Sequence, residues 1–133
     1  MNNNKAIGKL GEDLSVVYLI KHGYKVIDRN YLKKCGEIDI IATKKGIIHF
    51  IEVKSVSKNI SVIHETSSER LSEYRPEDNM HRNKLKRMRR VVEVYLAEHK
   101  IALFQYWQCD LMTVLIDKKL KIGRVFLIKD III

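Results

Sequence analysis

From Lys5 to His22 the apolar residues Ile7, Leu10, Leu14, Val17 and Ile20 recur at helical spacing, which predicts a helix. Gly23 stands where such a helix would stop. Another face of the same helix carries Gly8, Gly11, Glu12 and Ser15, small residues around one acid. Small residues let a helix approach a sheet closely, and Glu12 would then be aimed at whatever lies beneath. Three β-like runs follow, Tyr24–Asn30, Glu37–Thr43 and Ile47–Lys54, each rich in Ile, Val, Phe or Tyr. Lys44-Lys45-Gly46 joins the last two as a hairpin. Residues 55–76 are polar, hold the only proline and read as a long loop, a kind of segment that is often functional in a compact domain. Helical spacing returns from about Glu77 to Lys100 as Leu85, Met88, Val92, Tyr95 and Leu96. Closing strands are expected within Leu103–Ile116 and over Lys121–Ile128. The resulting order αβββαββ predicts a mixed α/β fold rather than an all-α or all-β one.

A length of 133 residues accommodates one domain, taken here as 1–133 with Met1–Asn4 as a disordered tail. Apolar residues make up 46% and charged residues 31%, which excludes a disordered chain, and there is no collagen or heptad periodicity. The longest purely apolar run is Val16–Ile20, far short of the ~20 residues of a membrane helix, so no membrane partner is expected. The start MNNNK lacks a signal-peptide pattern. Cys35 and Cys109 lie far apart with no CxxC, which points to reduced thiols and a cytoplasmic setting. A net charge of +9 nominates a polyanionic partner, nucleic acid before anionic membrane, against the plainer reading of a basic solvated surface.

Two anomalies nominate chemistry. Asp39 sits inside the apolar run Ile38–Ile41, where an unpaired carboxylate is costly. Glu52-Val53-Lys54 ends the run Ile47–Ile51, with Glu52 and Lys54 on one face of the strand. Pairing through the Lys44–Gly46 turn brings Asp39 and Glu52 together, and two adjacent carboxylates suit an oxygen-preferring cation, Mg2+ or Mn2+. The same three residues also make sense as a buried ion network without chemistry. From Arg82 to Arg90 the second helix holds Arg82, Lys84, Lys86, Arg87, Arg89 and Arg90 and no acid. Lys86, Arg87 and Arg90 fall opposite or beside its apolar stripe, as phosphate contacts or as a solvated face. His49, His64 and His81 read as surface or packing residues. Tyr106 and Trp107 carry rings able to stack on bases, yet within an apolar strand they read as packing. Cys35 is assigned no catalytic role.

Several of these motifs occur together. Gly8-Lys9-Leu10-Gly11-Glu12, Tyr18-Leu19, Gly23-Tyr24, Arg29-Asn30-Tyr31, Gly36-Glu37-Ile38-Asp39-Ile40-Ile41 and Phe50-Ile51-Glu52-Val53-Lys54-Ser55 resemble the YraN family. These are small bacterial endonuclease-like proteins of the PD-(D/E)xK superfamily. Lys84, Arg87, Met88, Tyr95-Leu96, Asp110-Leu111 and Ile128-Lys129-Asp130 extend the resemblance over nearly the whole chain. It departs from the family at Gln108-Cys109, where Arg-Phe is usual, and in the segment after Lys54.

The resemblance implies a restriction-endonuclease-like mixed β-sheet flanked by helices. It implies a metal-dependent endonuclease acting on DNA more than RNA, including branched or repair and recombination intermediates. Mg2+ or Mn2+ would be held by Asp39, Glu52 and the Val53 carbonyl with Glu12, and Lys54 would be the catalytic lysine. Glu37 is a further candidate or a structural partner. Arg82, Lys84, Lys86, Arg87 and Arg90 are the expected nucleic-acid contacts. The alternatives are a nucleic-acid-binding module that does not cleave and a structural partner in a DNA-processing assembly. The apolar end Ile131–Ile133 offers a surface for a homodimer.

Overall fold

A computed structural model describes residues 3–57, 82–117, 119 and 122–133. In chain order the elements are α1 (Asn3–Lys21), β1 (Lys25–Lys33), β2 (Gly36–Lys44), β3 (Ile47–Ser57), α2 (Arg82–Glu98), β4 (Trp107–Asp117) and β5 (Ile122–Ile131). The order αβββαββ is the one expected. The strands form a five-stranded sheet in the order β1-β2-β3-β4-β5. All neighbours are antiparallel except β3 and β4. A parallel step needs a crossover, and α2 lies in it.

The pleat of β3 separates two cores. Ile48 and Phe50 pack with Met88, Val91, Val92 and Tyr95 of α2. Ile51 and Val53 turn the other way, toward Leu19 of α1, Ile40, Ala42 and Met112. A mixed sheet with a helix on each face is the restriction-endonuclease-like α/β arrangement. Neither described helix is long and apolar enough to cross a membrane.

Several sequence expectations are corrected. Asn3 and Asn4 belong to α1 rather than to a tail. Ser55, Val56 and Ser57 belong to β3, because parallel pairing with Val114, Leu115 and Ile116 satisfies their backbone. Residues 58–81 lie outside the described residues, and with them the rest of the expected loop, the expected start of the second helix, His64 and His81. As expected, the small-residue face of α1 is the one on the sheet: Gly11, Ser15 and Leu19 are buried, while Leu10, Val17 and Ile20 are exposed. Contact distance is the reason. A Cβ added at Gly11 would lie 1.8 Å from Ser55 Oγ, so only glycine lets the helix sit this low on β3. Ser15 hides its hydroxyl by donating to the Gly11 carbonyl at 2.8 Å. At its other end α1 closes with Tyr24 N–H on the Leu19 carbonyl and Gly23 N–H on that of Ile20, with Gly23 at φ +86°.

The sheet changes at Asp39. The β2–β3 ladder runs from Lys44 opposite Ile47 to Ile40 opposite Ile51. On β2, Ile38 belongs to the α2 side and Ile40 to the α1 side, although strand alternation would put both on one face. On β1, Tyr31 likewise faces α2 while Arg29 reaches α1, with Asn30 between them at φ +54°. Both strands therefore switch faces together at Asn30 and Asp39, beyond the end of the β2–β3 ladder.

Candidate active site

The side chain of Asp39 fills this break. Val53 N–H donates to Asp39 Oδ2 at 2.8 Å, so a carboxylate takes a backbone donor beyond the end of the ladder. Burial is the largest influence on this carboxyl, and the Glu52 charge is next. Together they push its pKa up to about 8, against the Val53 hydrogen bond, with smaller contributions from Glu37 and Glu12. Glu52 is buried on β3, and its Oε1 lies 2.5 Å from Lys84 Nζ at the start of α2. Glu12, on the small face of α1, accepts from Arg29 Nε at 3.3 Å and Nη2 at 3.2 Å. Arg29 also donates to Asp13 at 2.7 Å, and that bond leads the rise in its own pKa.

Two cavities meet at this point. The larger, of about 660 Å3, is lined by Glu12, Asp39, Val53, Lys54 and Lys84 with Ile7, Gly8 and Ser55–Ser57. The smaller, of about 260 Å3, is lined by Glu37, Asp39, Glu52, Lys84 and Arg87 with Gly36 and Met88. Asp39 and Lys84 border both. Lys54 is exposed on the larger one and makes no ion pair or hydrogen bond with the described residues.

The fold thus brings Glu12, Asp39, Glu52, Lys54 and Lys84 around one groove. Among the described residues, no three His, Cys, Asp or Glu side chains converge as a ready cation cage. Glu12 and Glu52 are each turned to a resident cation, Arg29 and Lys84. The donor chemistry nevertheless fits a hard divalent ion. Half-buried Asp39 and buried Glu52 are oxygen donors whose charges oppose each other, and a cation between them would relieve that repulsion.

The expected phosphate contacts divide. Lys84 turns inward to Glu52 and Arg87 borders the smaller cavity, whereas Arg82, Lys86 and Arg90 are exposed along α2. Arg89 pairs with Glu93 at 3.3 Å. Sequence reasoning missed the roles of Arg29 and of Lys84 toward the acids. Each pair joins residues distant in the chain, and only the motif order around Arg29-Asn30 hinted at the first.

Elsewhere the readings of lone residues meet mixed outcomes. His49 is buried, and its Nδ1 lies 2.7 Å from Asp110 Oδ2, so it is a packing residue with a partner. Cys109 is buried, and burial with the Asp110 charge pushes its thiol up to about 12, which leaves it inert. Cys35 packs at the edge of the α2 core. Tyr106 and Trp107 are exposed, which corrects their reading as packing residues. Tyr106 precedes β4 and Trp107 opens it, at the rim of the sheet rather than within it.

A family model described as uncharacterised protein family UPF0102 matches residues 11–114. A UPF0102 protein of Dictyoglomus thermophilum is 35% identical over 120 residues, covering 90% of this chain and 91% of that one. One of Caldicellulosiruptor bescii is 32% identical over 128 residues, 96% of this chain and 98% of the other. The matched stretch contains every acid and lysine of the groove.

Proposed function

The chain belongs to the UPF0102 family, the YraN family its motifs resemble, and from that premise we propose that it is a metal-dependent nuclease hydrolysing phosphodiester bonds in DNA. One observation carries the reading: Asp39 is half-buried at the break between β2 and β3, beside Glu52, and open to a groove that presents Lys54. A scaffold has no use for an acid faced by like charges there. A cation site does.

Asp39, Glu52 and the Val53 carbonyl would hold Mg2+ or Mn2+, with Glu12 completing the set. When bound, such an ion supplies Lewis acidity and positive charge toward a phosphodiester. The remaining work belongs to the chain. Lys54 meets the phosphate from the open side of the groove and offsets the charge that develops on it. Lys84 pairs with Glu52 and fixes its carboxylate, and Arg29 does the same for Glu12. Arg87 at the groove and Arg82, Lys86 and Arg90 along α2 bind the nucleic-acid backbone.

A second reading, a nucleic-acid-binding module that does not cleave, draws on the resident cations. Arg29 and Lys84 already neutralise Glu12 and Glu52 without a metal. A cleavage assay with Mn2+ or Mg2+ over duplex, single-stranded, flapped and branched DNA separates the two. The nuclease reading expects cleavage of at least one substrate by the wild type and its loss in Asp39→Asn. Binding without cleavage of any substrate leaves the module.

A further inference from the structure

The residues 99–106 join α2 to β4; Ile101 packs against the α2 core, whereas Leu103, Phe104 and Tyr106 do not fold back onto it. Leu103 is fully exposed, Phe104 is 86% and Tyr106 77% exposed, and Trp107 at the start of β4 is 40% exposed. Exposed apolar clusters of this kind mark interaction surfaces. The segment is held in place rather than loose. Ile101 N–H donates to the Leu96 carbonyl at 2.9 Å, Gln105 N–H to that of Ala102 at 2.9 Å, and Ile48 N–H to that of Tyr106 at 3.0 Å. The Gln105 side chain donates to the Gly46 carbonyl at 2.6 Å, which ties the segment to the β2–β3 turn. Trp107 stands edge-on to Phe50, with ring centroids 5.9 Å apart. The backbone that carries the rings is therefore held in place, which lowers the ordering entropy a ligand has to overcome.

Charge decides the partner. The turn that Gln105 grips contains Lys44 and Lys45, and the exposed Lys100 opens the segment. Neither Thr43–His49 nor His99–Trp107 contains an acid. Aromatic faces interleaved with cations, on a chain of net charge +9, match a ligand with planar rings on an anionic backbone. An anionic membrane is the weaker fit, because surface recognition there rests on clusters of about four to eight basic residues, and these segments supply Lys44, Lys45 and Lys100.

We propose that Phe104, Tyr106 and Trp107, flanked by Lys45 and Lys100, form a stacking platform for single-stranded nucleic acid. Along β3 the platform lies beside Ile48 and the groove beside Lys54, a span of about 20 Å at ~3.3 Å per residue. It is thus a second site at the opposite end of the sheet. It needs neither a metal nor cleavage, so it stands or falls apart from the nuclease reading.

Trp107 is the only tryptophan of the chain, so its emission reports on the platform directly. The full-length protein is titrated with oligothymidylate of about ten nucleotides, within the usual range of single-strand site sizes, in EDTA. Saturable quenching is expected, with duplex of the same length quenching far less. Phe104→Ala should weaken binding about tenfold and Tyr106→Ala comparably, the scale of one lost base stack. Phe104 is so exposed that its substitution leaves the thermal melt unchanged, which keeps the test valid even if Tyr106→Ala misfolds. Unaltered emission with single strands, or equal affinity in Phe104→Ala, overturns the proposal. So does a blue shift with phosphatidylglycerol vesicles in the absence of any response to oligonucleotide, which would assign the patch to a lipid surface.

Discussion

Two carboxylates sit within the same sheet, Asp110 buried and Asp39 half-buried, and their surroundings could hardly differ more. Asp110 on β4 is fully buried and accepts from His49 Nδ1 at 2.7 Å, Gln108 Nε2 at 2.8 Å and Asp130 N–H at 2.9 Å. Those bonds pin the irregularity between β4 and β5, where Asp130 adopts φ +57°. Asp39 on β2 has the Val53 N–H and then meets Glu52, Glu37 and Glu12 as like charges. Where a buried acid serves the scaffold, the fold surrounds it with donors. Where the fold surrounds it with other acids and an open groove, as at Asp39, the acid is left open to a partner from solution, which the nuclease reading takes to be a cation.

The sharpest way to break this comparison is to remove Asp110. Asp110→Ala leaves an imidazole, an amide and a backbone N–H without their acceptor, and the expected cost is about 3–5 kcal/mol in urea unfolding. A loss under about 1 kcal/mol would remove the distinction between the two acids.

Asp39→Asn should act in the opposite direction. Its folded pKa lies above its unfolded one, so the metal-free wild type loses stability as pH rises from about 4 toward 8. The asparagine still accepts from Val53 and does not titrate. The variant should match the wild type near pH 4 and exceed it by about 1–3 kcal/mol at pH 8 in EDTA. Manganese should raise the melting temperature of the wild type and leave that of Asp39→Asn unmoved. A variant less stable than wild type at every pH would place Asp39 with Asp110, as scaffold.

Lys54→Ala tests whether the open side of the groove is built for chemistry. With no partner among the described residues, its loss should change stability by less than about 0.5 kcal/mol. Under the nuclease reading cleavage falls roughly 100-fold. An early melt would show that Lys54 belongs to the acids as a structural counter-ion.

The smallest effect on the fold is expected from Lys86→Ala/Arg87→Ala/Arg90→Ala, which should leave the melt unchanged. DNA binding should lose up to about three units of its log–log salt slope, roughly one per phosphate. An unaltered slope makes this face of α2 a solvated surface.

Much of the molecule was legible in its residues because the signals are local. Alternation and helical spacing mark the elements, Gly23 ends α1 as a left-handed cap, and Lys44–Gly46 closes the hairpin. An acid inside Ile38–Ile41 is conspicuous in one dimension, and so is Glu52-Val53-Lys54 at the end of an apolar run. The small face of α1 was legible as the one set against the sheet, for a physical reason. Periodicity finds the apolar stripe, whereas burial follows the face that can come closest, and Gly11 against Ser55 makes that the small one.

The sequence by itself determined which segments are helix and strand, which acids and lysines are out of place, and how basic the surface is, since each depends on neighbours along the chain. Only the tertiary structure decided what those residues face. Asn30 and Asp39 switch faces together because two strands share a register. Lys84 meets Glu52 and Arg29 meets Glu12 because helices cross the ends of strands distant in sequence. Tyr106 stands in solvent and Trp107 is only partly covered, edge-on to Phe50, because β4 begins at the rim of the sheet, where no described element lies beyond it.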